Sequence, residues 1–315
     1  MRNVGIDALK ILACLAVVSL HFGCGGFGRR LAVPIFVFFS CYLYSCKGQR
    51  GSIIDRLLRL WIPFLVWGVL GLVVFCLIHK GLSWSDVAWQ LTFGYPAAQH
   101  LYYLIDLILM TLIIWAIHHV PTKACANLVF AVLVVACLAF QYTGLNFKLC
   151  TALHPNMRYT IGRLVELLPC AIVGEVIGEL HCIDRRPMLS LVWAAIAFIV
   201  AALLFSVHRV MPEGFGYQGV LPLVMAISIC VVGITVGEKV AGSKYASWML
   251  PIASIGALTP GIYFMHDVVG KIIESLTGLS HSHLLAAVVF LISAILVLAL
   301  SSNHWTKWMI SGKVR

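Results

Sequence analysis

Charge is scarce in this sequence. Asp, Glu, Lys and Arg together supply 11% of its residues, against about 25% in an average soluble protein. Hydrophobic residues make up 61% and mean hydropathy is +0.98. A soluble fold of this length has to show a substantial polar exterior, and too few polar residues are present to build one. Lipid is therefore the solvent for most of the chain. Paired cysteines are missing as well. Eleven cysteines occur singly, most of them inside apolar runs, such as Cys14, Cys41, Cys76, Cys137, Cys170 and Cys230. No CxxC or Cys/His spacing of a zinc site occurs; the cysteines read as small hydrophobes, and no disulfide framework is expected. Long loops, low-complexity linkers and internal repeats are absent too. The longest connections, near 79–100 and 144–160, run to about twenty residues, too short for a separate domain.

Two further classes fall away. The net charge of +10 would suggest a nucleic-acid partner only if the bases formed one face of a soluble domain, but here they sit in short connections between apolar runs. A cleaved signal peptide keeps its charges ahead of the apolar region, whereas Asp7, Lys10 and His21 lie within it. The start therefore reads as a retained span.

A membrane span needs about 20 mostly apolar residues. Segments of that kind lie near 5–23, 31–46, 57–78, 101–118, 125–143, 161–180, 188–207, 219–237, 254–276 and 283–302. The expectation is an all-α polytopic membrane protein of about ten transmembrane helices in one bundle, with residues 1–315 forming a single domain. Lys and Arg in the loops set orientation. With the N-terminus inside, thirteen bases face the cytoplasm: Arg2, Lys47, Arg50, Arg56, Arg59, Lys123, Arg185, Arg186, Lys239, Lys244, Lys307, Lys313 and Arg315. Seven face the other side: Arg29, Arg30, Lys80, Lys148, Arg158, Arg163 and Arg209. Both termini are expected in the cytoplasm.

Ionisable residues at membrane depth are expensive and mark sites or pathways. Lys10 and His21 are eleven residues apart, which at 100° per residue returns to within about 20° of one helix face, and Asp7 joins the same stripe. The rise between Lys10 and His21 is about 16 Å, so one elongated ligand reaches both. A plainer reading pairs Asp7 with Lys10 near the interface. Arg56 and Arg59 stand one turn apart at the entry to the third span; arginine forks onto phosphate oxygens, but it also anchors cytoplasmic loops. In the ninth span Tyr263, Asp267, Lys271 and Glu274 form one polar stripe with His266 beside it, and Asp267 and Lys271 are spaced to neutralise each other. In the sixth, Arg163 and Glu166 are again one turn apart, followed by Pro169 and Gly174-x-x-x-Gly178, a spacing that marks close helix packing.

These residues, in this order, resemble the membrane acyltransferase-3 family, a large bacterial group of O-acyltransferases that modify surface polysaccharides and related acceptors. The family begins with Gly-x-Asp-x-(Leu/Phe)-Arg and closes that helix with a His eleven residues after the Arg; Gly5-Ile6-Asp7-Ala8-Leu9-Lys10 and His21 occupy that frame. A Val-Pro-x-Phe-Phe-x-x-Ser-Gly-Tyr type segment is matched by Val33 to Tyr42, and an Arg-x-x-Arg followed by Pro is matched by Arg56, Arg59 and Pro63. His100-Leu101-Tyr102-Tyr103-Leu104 is similar to a Leu-Trp-Tyr-Leu element, and Gly261-Ile262-Tyr263-Phe264-Met265-His266 to a late Gly-Ile-Tyr-Leu-x-His. Two positions depart from the pattern. Lys10 stands where Arg is usual, keeping the charge without the fork, and Cys41 stands where Gly is usual.

The resemblance implies a transferase of the bacterial cytoplasmic membrane that takes acetyl or another acyl group from acyl-CoA to a hydroxyl of a glycan. The lipid bilayer, acyl-CoA and that acceptor would be its partners, with no permanently bound cofactor and no metal. Such chemistry needs a base for the alcohol, stabilisation of the tetrahedral oxyanion and a cradle for the CoA phosphates. His21 would be the base, with Asp7 and Lys10 on its stripe; Lys10, Arg56 and Arg59 would hold the donor. Tyr102, Tyr103, Arg163, Glu166, Tyr263, His266 and Asp267 would contact substrate or support the base. Direct transfer and an acyl-His21 intermediate both fit. A transporter or flippase would also carry charges at mid-membrane, but such proteins show inverted repeats with broken helices in both halves, a pairing this sequence does not display.

Overall fold

A computed structural model describes residues 3–22, 28–46, 52–79, 83–94, 97–143, 155–180, 186–207, 219–243, 249–279, 282–303 and 306–311, with the single residues 81 and 183. Every regular element among them is helical. In chain order these are α1 (Val4–His21), α2 (Gly28–Cys46), α3 (Ile53–His79), α4 (Trp84–Phe93), a 3₁₀ turn (Gln99–Leu101), α5 (Tyr102–His118), α6 (Lys123–Tyr142), α7 (Pro155–Leu180), α8 (Pro187–Val207), α9 (Val220–Ala241), α10 (Leu250–Thr277), α11 (His283–Ser302) and the short α12 (Trp308–Ser311). The chain is an all-α polytopic membrane protein.

Each of the ten expected spans contains a helix. Among the described residues seven helices are long and apolar enough to cross a membrane: α1, α3, α6, α8, α9, α10 and α11. Within α2 and α5 the apolar stretches Arg30–Cys46 and Tyr102–His118 are shorter, and α7 carries Arg158, Arg163, Glu166, Glu175 and Glu179 along its length. The loop expected over 79–100 contains α4 and the 3₁₀ turn instead. Ser83 starts α4 with a capping box, its hydroxyl accepting from the Asp86 amide at 3.1 Å while Asp86 accepts from the Ser83 amide at 3.1 Å. The Ser83 hydroxyl beside it holds the Asp86 carboxyl below the usual carboxylate range. Gly94, at φ 77°, ends the helix in the left-handed conformation that favours glycine. At ten residues α4 spans only about 15 Å, half a bilayer core. Of the thirteen bases expected in the cytoplasm, Arg2, Lys47, Arg50, Arg185, Lys244, Lys313 and Arg315 lie outside the described residues.

Contacts divide the chain into two compact units. One comprises residues 1–13, 27–50 and 109–256; the other comprises 14–26, 51–108 and 257–315. In the first unit α2 packs along α7 and α9, α6 along α7, and α8 along α9. Glycine makes these approaches close. A Cβ on Gly174 would stand 2.6 Å from the Phe38 carbonyl oxygen, and one on Gly178 would stand 2.7 Å from that of Tyr42. The Gly174-x-x-x-Gly178 spacing is thus a packing notch for α2. A second such pair, Gly233 and Gly237 on α9, receives Gly5 and Asn3 at the start of α1. There Asn3 caps α1, accepting from the Ile6 amide at 3.2 Å and donating to the Ile234 carbonyl at 2.9 Å.

Proline inside a helix strips the carbonyl four residues earlier of its partner. Pro169 does so to Val165, and Gln141 on α6 repairs the loss by donating its amide to the Val165 oxygen at 3.1 Å. In lipid no water is present to fill that role. In the second unit α3 packs against α4, the 3₁₀ turn and α12, and α12 against α11. Trp67 of α3 donates its indole N–H to the Met309 carbonyl at 3.1 Å, tying α12 down.

Candidate active site

The second unit gathers three imidazoles. His21 closes α1, His100 lies in the 3₁₀ turn, and His266 lies midway along α10. Ring centroids are 5.0 Å apart for His21 and His266, 4.8 Å for His100 and His266, and 6.0 Å for His21 and His100. Exposure separates them. His100 and His266 are 1% and 0% exposed, whereas His21 is half-buried, so His21 is the member of the cluster that a substrate can approach.

Local structure fixes each ring. His21 is held by its neighbour Phe22, which is buried and seated where a Cβ on Gly270 of α10 would meet its ring. His100 donates Nε2–H to the Phe264 carbonyl at 3.0 Å, and its own carbonyl accepts the Tyr263 hydroxyl at 2.7 Å. The turn that carries it is pinned from two sides. Gln90 Oε1 accepts from the Ala97 and Ala98 amides at 2.8 and 2.9 Å, and Lys271 donates to the Ala97 carbonyl at 2.6 Å. His266 donates Nδ1–H to the Tyr263 carbonyl at 2.7 Å. A carbonyl oxygen only accepts, so the proton in each of these imidazole bonds sits on the named nitrogen.

Charge in the site is balanced within α10. Lys271 donates to Asp267 Oδ2 at 2.8 Å, one turn along the helix, and the same oxygen stands 3.4 Å from Nδ1 of His100. The His100 contact fails hydrogen-bond geometry, since Nδ1 lacks a hydrogen-bond partner, and it acts as a close electrostatic contact. Asp267 is therefore compensated by a lysine rather than left as an isolated buried charge. Tyr103 lines the same region, its ring 5.3 Å from that of Tyr263. Tyr102 is also buried.

Among the residues singled out from sequence, the structure brings His21, Tyr103, Tyr263, His266 and Asp267 together. Arg56 and Arg59 lie in the first turns of α3 in the same unit, the one half-buried and the other exposed, and neither is among the contacts just described. Tyr102 lies in the second unit as well, whereas Asp7, Lys10, Arg163 and Glu166 belong to the first. There Asp7 is 2% exposed and abuts Gly256, whose added Cβ would stand 2.8 Å from the Asp7 Cγ. Lys10 and Arg163 are half-buried and Glu166 is buried; the Glu166 backbone oxygen lies 3.4 Å from the Gln141 amide. Neither His100 nor Gln90 stands out as a site residue from the sequence alone. His100 fell in an expected loop, and its one sequence signal was its place directly before Leu101-Tyr102-Tyr103-Leu104. Among the described residues no three metal-ligating side chains form a group that could hold a metal ion.

A polytopic helical membrane protein with a buried histidine cluster, one member of it open to substrate and a neutralised carboxylate behind, has the parts for proton transfer to or from a bound hydroxyl. Comparison with known families gives the chemistry its class. A family model described as an acyltransferase domain matches residues 3–302, and the chain belongs to this acyltransferase-3 family of membrane acyltransferases. No curated protein matches the chain as a relative.

Proposed function

We propose that the chain transfers an acyl group, acetyl in the simplest case, from acyl-CoA to a hydroxyl of a cell-surface polysaccharide or related glycan, with His21 as the general base. The observation that carries the reading is the graded exposure of the histidine cluster: a half-buried His21 backed by two imidazoles closed to solvent. In the reaction His21 takes the proton of the acceptor hydroxyl. The oxygen attacks the thioester carbonyl, the C–S bond breaks, and the CoA thiolate leaves with the proton that His21 releases. Imidazole suits this exchange because it gains and loses a proton near neutral pH. Lys10, Arg56 and Arg59 are the cations assigned to the CoA phosphates, with the protein seated in the bacterial cytoplasmic membrane and both termini inside.

The test uses the full-length protein in membranes, [14C]acetyl-CoA as donor and cell-envelope material from a strain lacking the gene as acceptor. The wild-type protein is expected to move label into envelope glycan, and His21→Ala to lower the rate by a factor of about 10² to 10⁴ while inserting normally. Near wild-type transfer by His21→Ala would remove His21 as the base. Profiling O-acyl esters on surface glycans of the deletion strain then identifies the acceptor by the ester that disappears.

A further inference from the structure

The Nε2 atom of His266 has no part in the reaction as just described. His266 is fully enclosed at 0% exposure, and its Nδ1–H is committed to the Tyr263 carbonyl at 2.7 Å, a carbonyl of its own helix. That bond turns Nε2 away from the α10 backbone and makes it the acceptor of the neutral ring. Nε2 has no hydrogen-bond partner. Buried acceptors are rarely left unmatched, because desolvation without a bond is costly. A group that supplies a proton to this nitrogen during the working cycle is therefore to be sought among its neighbours.

Two imidazoles adjoin it, those of His100 and His21. His100 directs Nε2–H at the Phe264 carbonyl and Nδ1 at Asp267, so neither of its nitrogens is turned to His266. Tyr263 is committed to the His100 carbonyl through its hydroxyl. His21 is the other neighbour, its ring centroid 5.0 Å from that of His266. Two imidazoles joined by an N–H···N bond of ordinary length place their centroids about 5 Å apart, so the spacing of these two rings admits that bond.

We propose that His266 is the positioning residue of His21: its Nε2 accepts the N–H of the His21 imidazole, so that the opposite nitrogen of His21 holds the lone pair that meets the acceptor hydroxyl. The assignment rests on His21 being the base. A base whose second nitrogen is held by an acceptor is fixed in tautomer and in ring orientation, the role a carboxylate plays behind the histidine of a serine hydrolase. Here the acceptor is a neutral imidazole locked by its own helix. The proton passes from hydroxyl to His21 and from His21 to the CoA thiolate; His266 keeps its Nδ1 proton throughout. The burial order follows from these roles, with the reacting ring open and the ring behind it closed.

Three substitutions separate the atoms of His266. His266→Gln places a side-chain oxygen where Nε2 stood. His266→Asn replaces the Nδ1–H donor and puts nothing at the Nε2 place, and His266→Leu removes both. With purified full-length protein, [14C]acetyl-CoA and envelope acceptor, the Gln variant should hold kcat within about tenfold of wild type. The Asn and Leu variants should lose about 10²-fold, all at unchanged KM for acetyl-CoA. Equal rates for Gln and Asn overturn the proposal, as does full kcat in the Leu variant or a loss confined to KM. If the Leu variant does not insert, the Gln and Asn pair decides alone. His21→Ala, run beside them, distinguishes the two levels: a fully active His21→Ala removes the base itself, whereas an inactive His21→Ala with equal Gln and Asn rates removes only the role of His266.

Discussion

Asp267 is the residue on which charge in the site is balanced. Its Oδ2 receives Lys271 at 2.8 Å and faces His100 at 3.4 Å, and the Asp267 side chain is 13% exposed. The spacing of Asp267 and Lys271 in the sequence already pointed to mutual neutralisation, and the structure shows that contact. What spacing did not disclose is that Lys271 also grips the Ala97 carbonyl, because that contact joins residues far apart in the chain. Removing one partner of such a pair leaves the other buried and uncompensated. Lys271→Met should therefore lower stability by about 1–3 kcal/mol, less than for a fully buried pair because the lysine is 32% exposed. Adding Asp267→Asn removes the stranded charge and should recover more than half of the loss. Thermal melting of both variants in the same detergent checks this. A single variant as stable as wild type, or a double variant no better than the single, contradicts the account.

At the scale of elements, periodicity in the sequence located the helices because a span must be apolar over its length and helical throughout. It located α4 poorly: ten residues with a Ser83–Asp86 start and a Gly94 stop leave no transmembrane signal. His100 went unread for the same reason, since its importance arises from Gln90, Tyr263 and Lys271 converging on one turn. Glycine spacing was more informative. Gly174 and Gly178 were legible as a packing pair, and the structure adds what they pack against, the carbonyls of Phe38 and Tyr42. The equivalent pair on α9, Gly233 and Gly237, went unread because its partner is the first turn of α1. Backbone atoms cannot step aside as a flexible side chain can, so Gly174→Ala and Gly178→Ala must move α2 away from α7. Each should cost about 1–3 kcal/mol, as overpacking does elsewhere. Gly242→Ala is the control, since its Cβ would stand 3.9 Å from the nearest atoms, in ordinary contact. Melting temperatures that fall for the first two and hold for the third fit the notch. Three equal values would mean that the α2–α7 contact gives way freely.

At the scale of the molecule the parity of the crossings decides where the C-terminus lies. Among the described residues seven helices meet the length and hydropathy a span needs; an odd number of crossings would put Met1 and Arg315 on opposite sides. The loop charges argue otherwise. Thirteen bases on one side and seven on the other fit ten crossings with both ends inside, which requires α2, α5 and α7 to cross as well. Each has a physical reason to cross, although α2 and α5 fall short in apolar length and α7 carries charge. The 17 residues of α5 rise about 26 Å, close to a hydrocarbon core of about 30 Å, and the 3₁₀ turn before it adds length. The apolar part of α2 is similar in length and lies along α7. The charges of α7 are partly matched, with Glu175 receiving His118 at 3.2 Å and Glu179 receiving Lys123 at 3.1 Å, and paired ionisable groups facing other helices are tolerated in lipid. A reporter fused after Arg315 separates the two counts. Alkaline phosphatase there should be inactive and green fluorescent protein bright, while phosphatase inserted in the 144–154 connection should be active. Phosphatase activity at Arg315 would instead mean an odd number of crossings, so that at least one of α2, α5 and α7 lies along the membrane rather than through it.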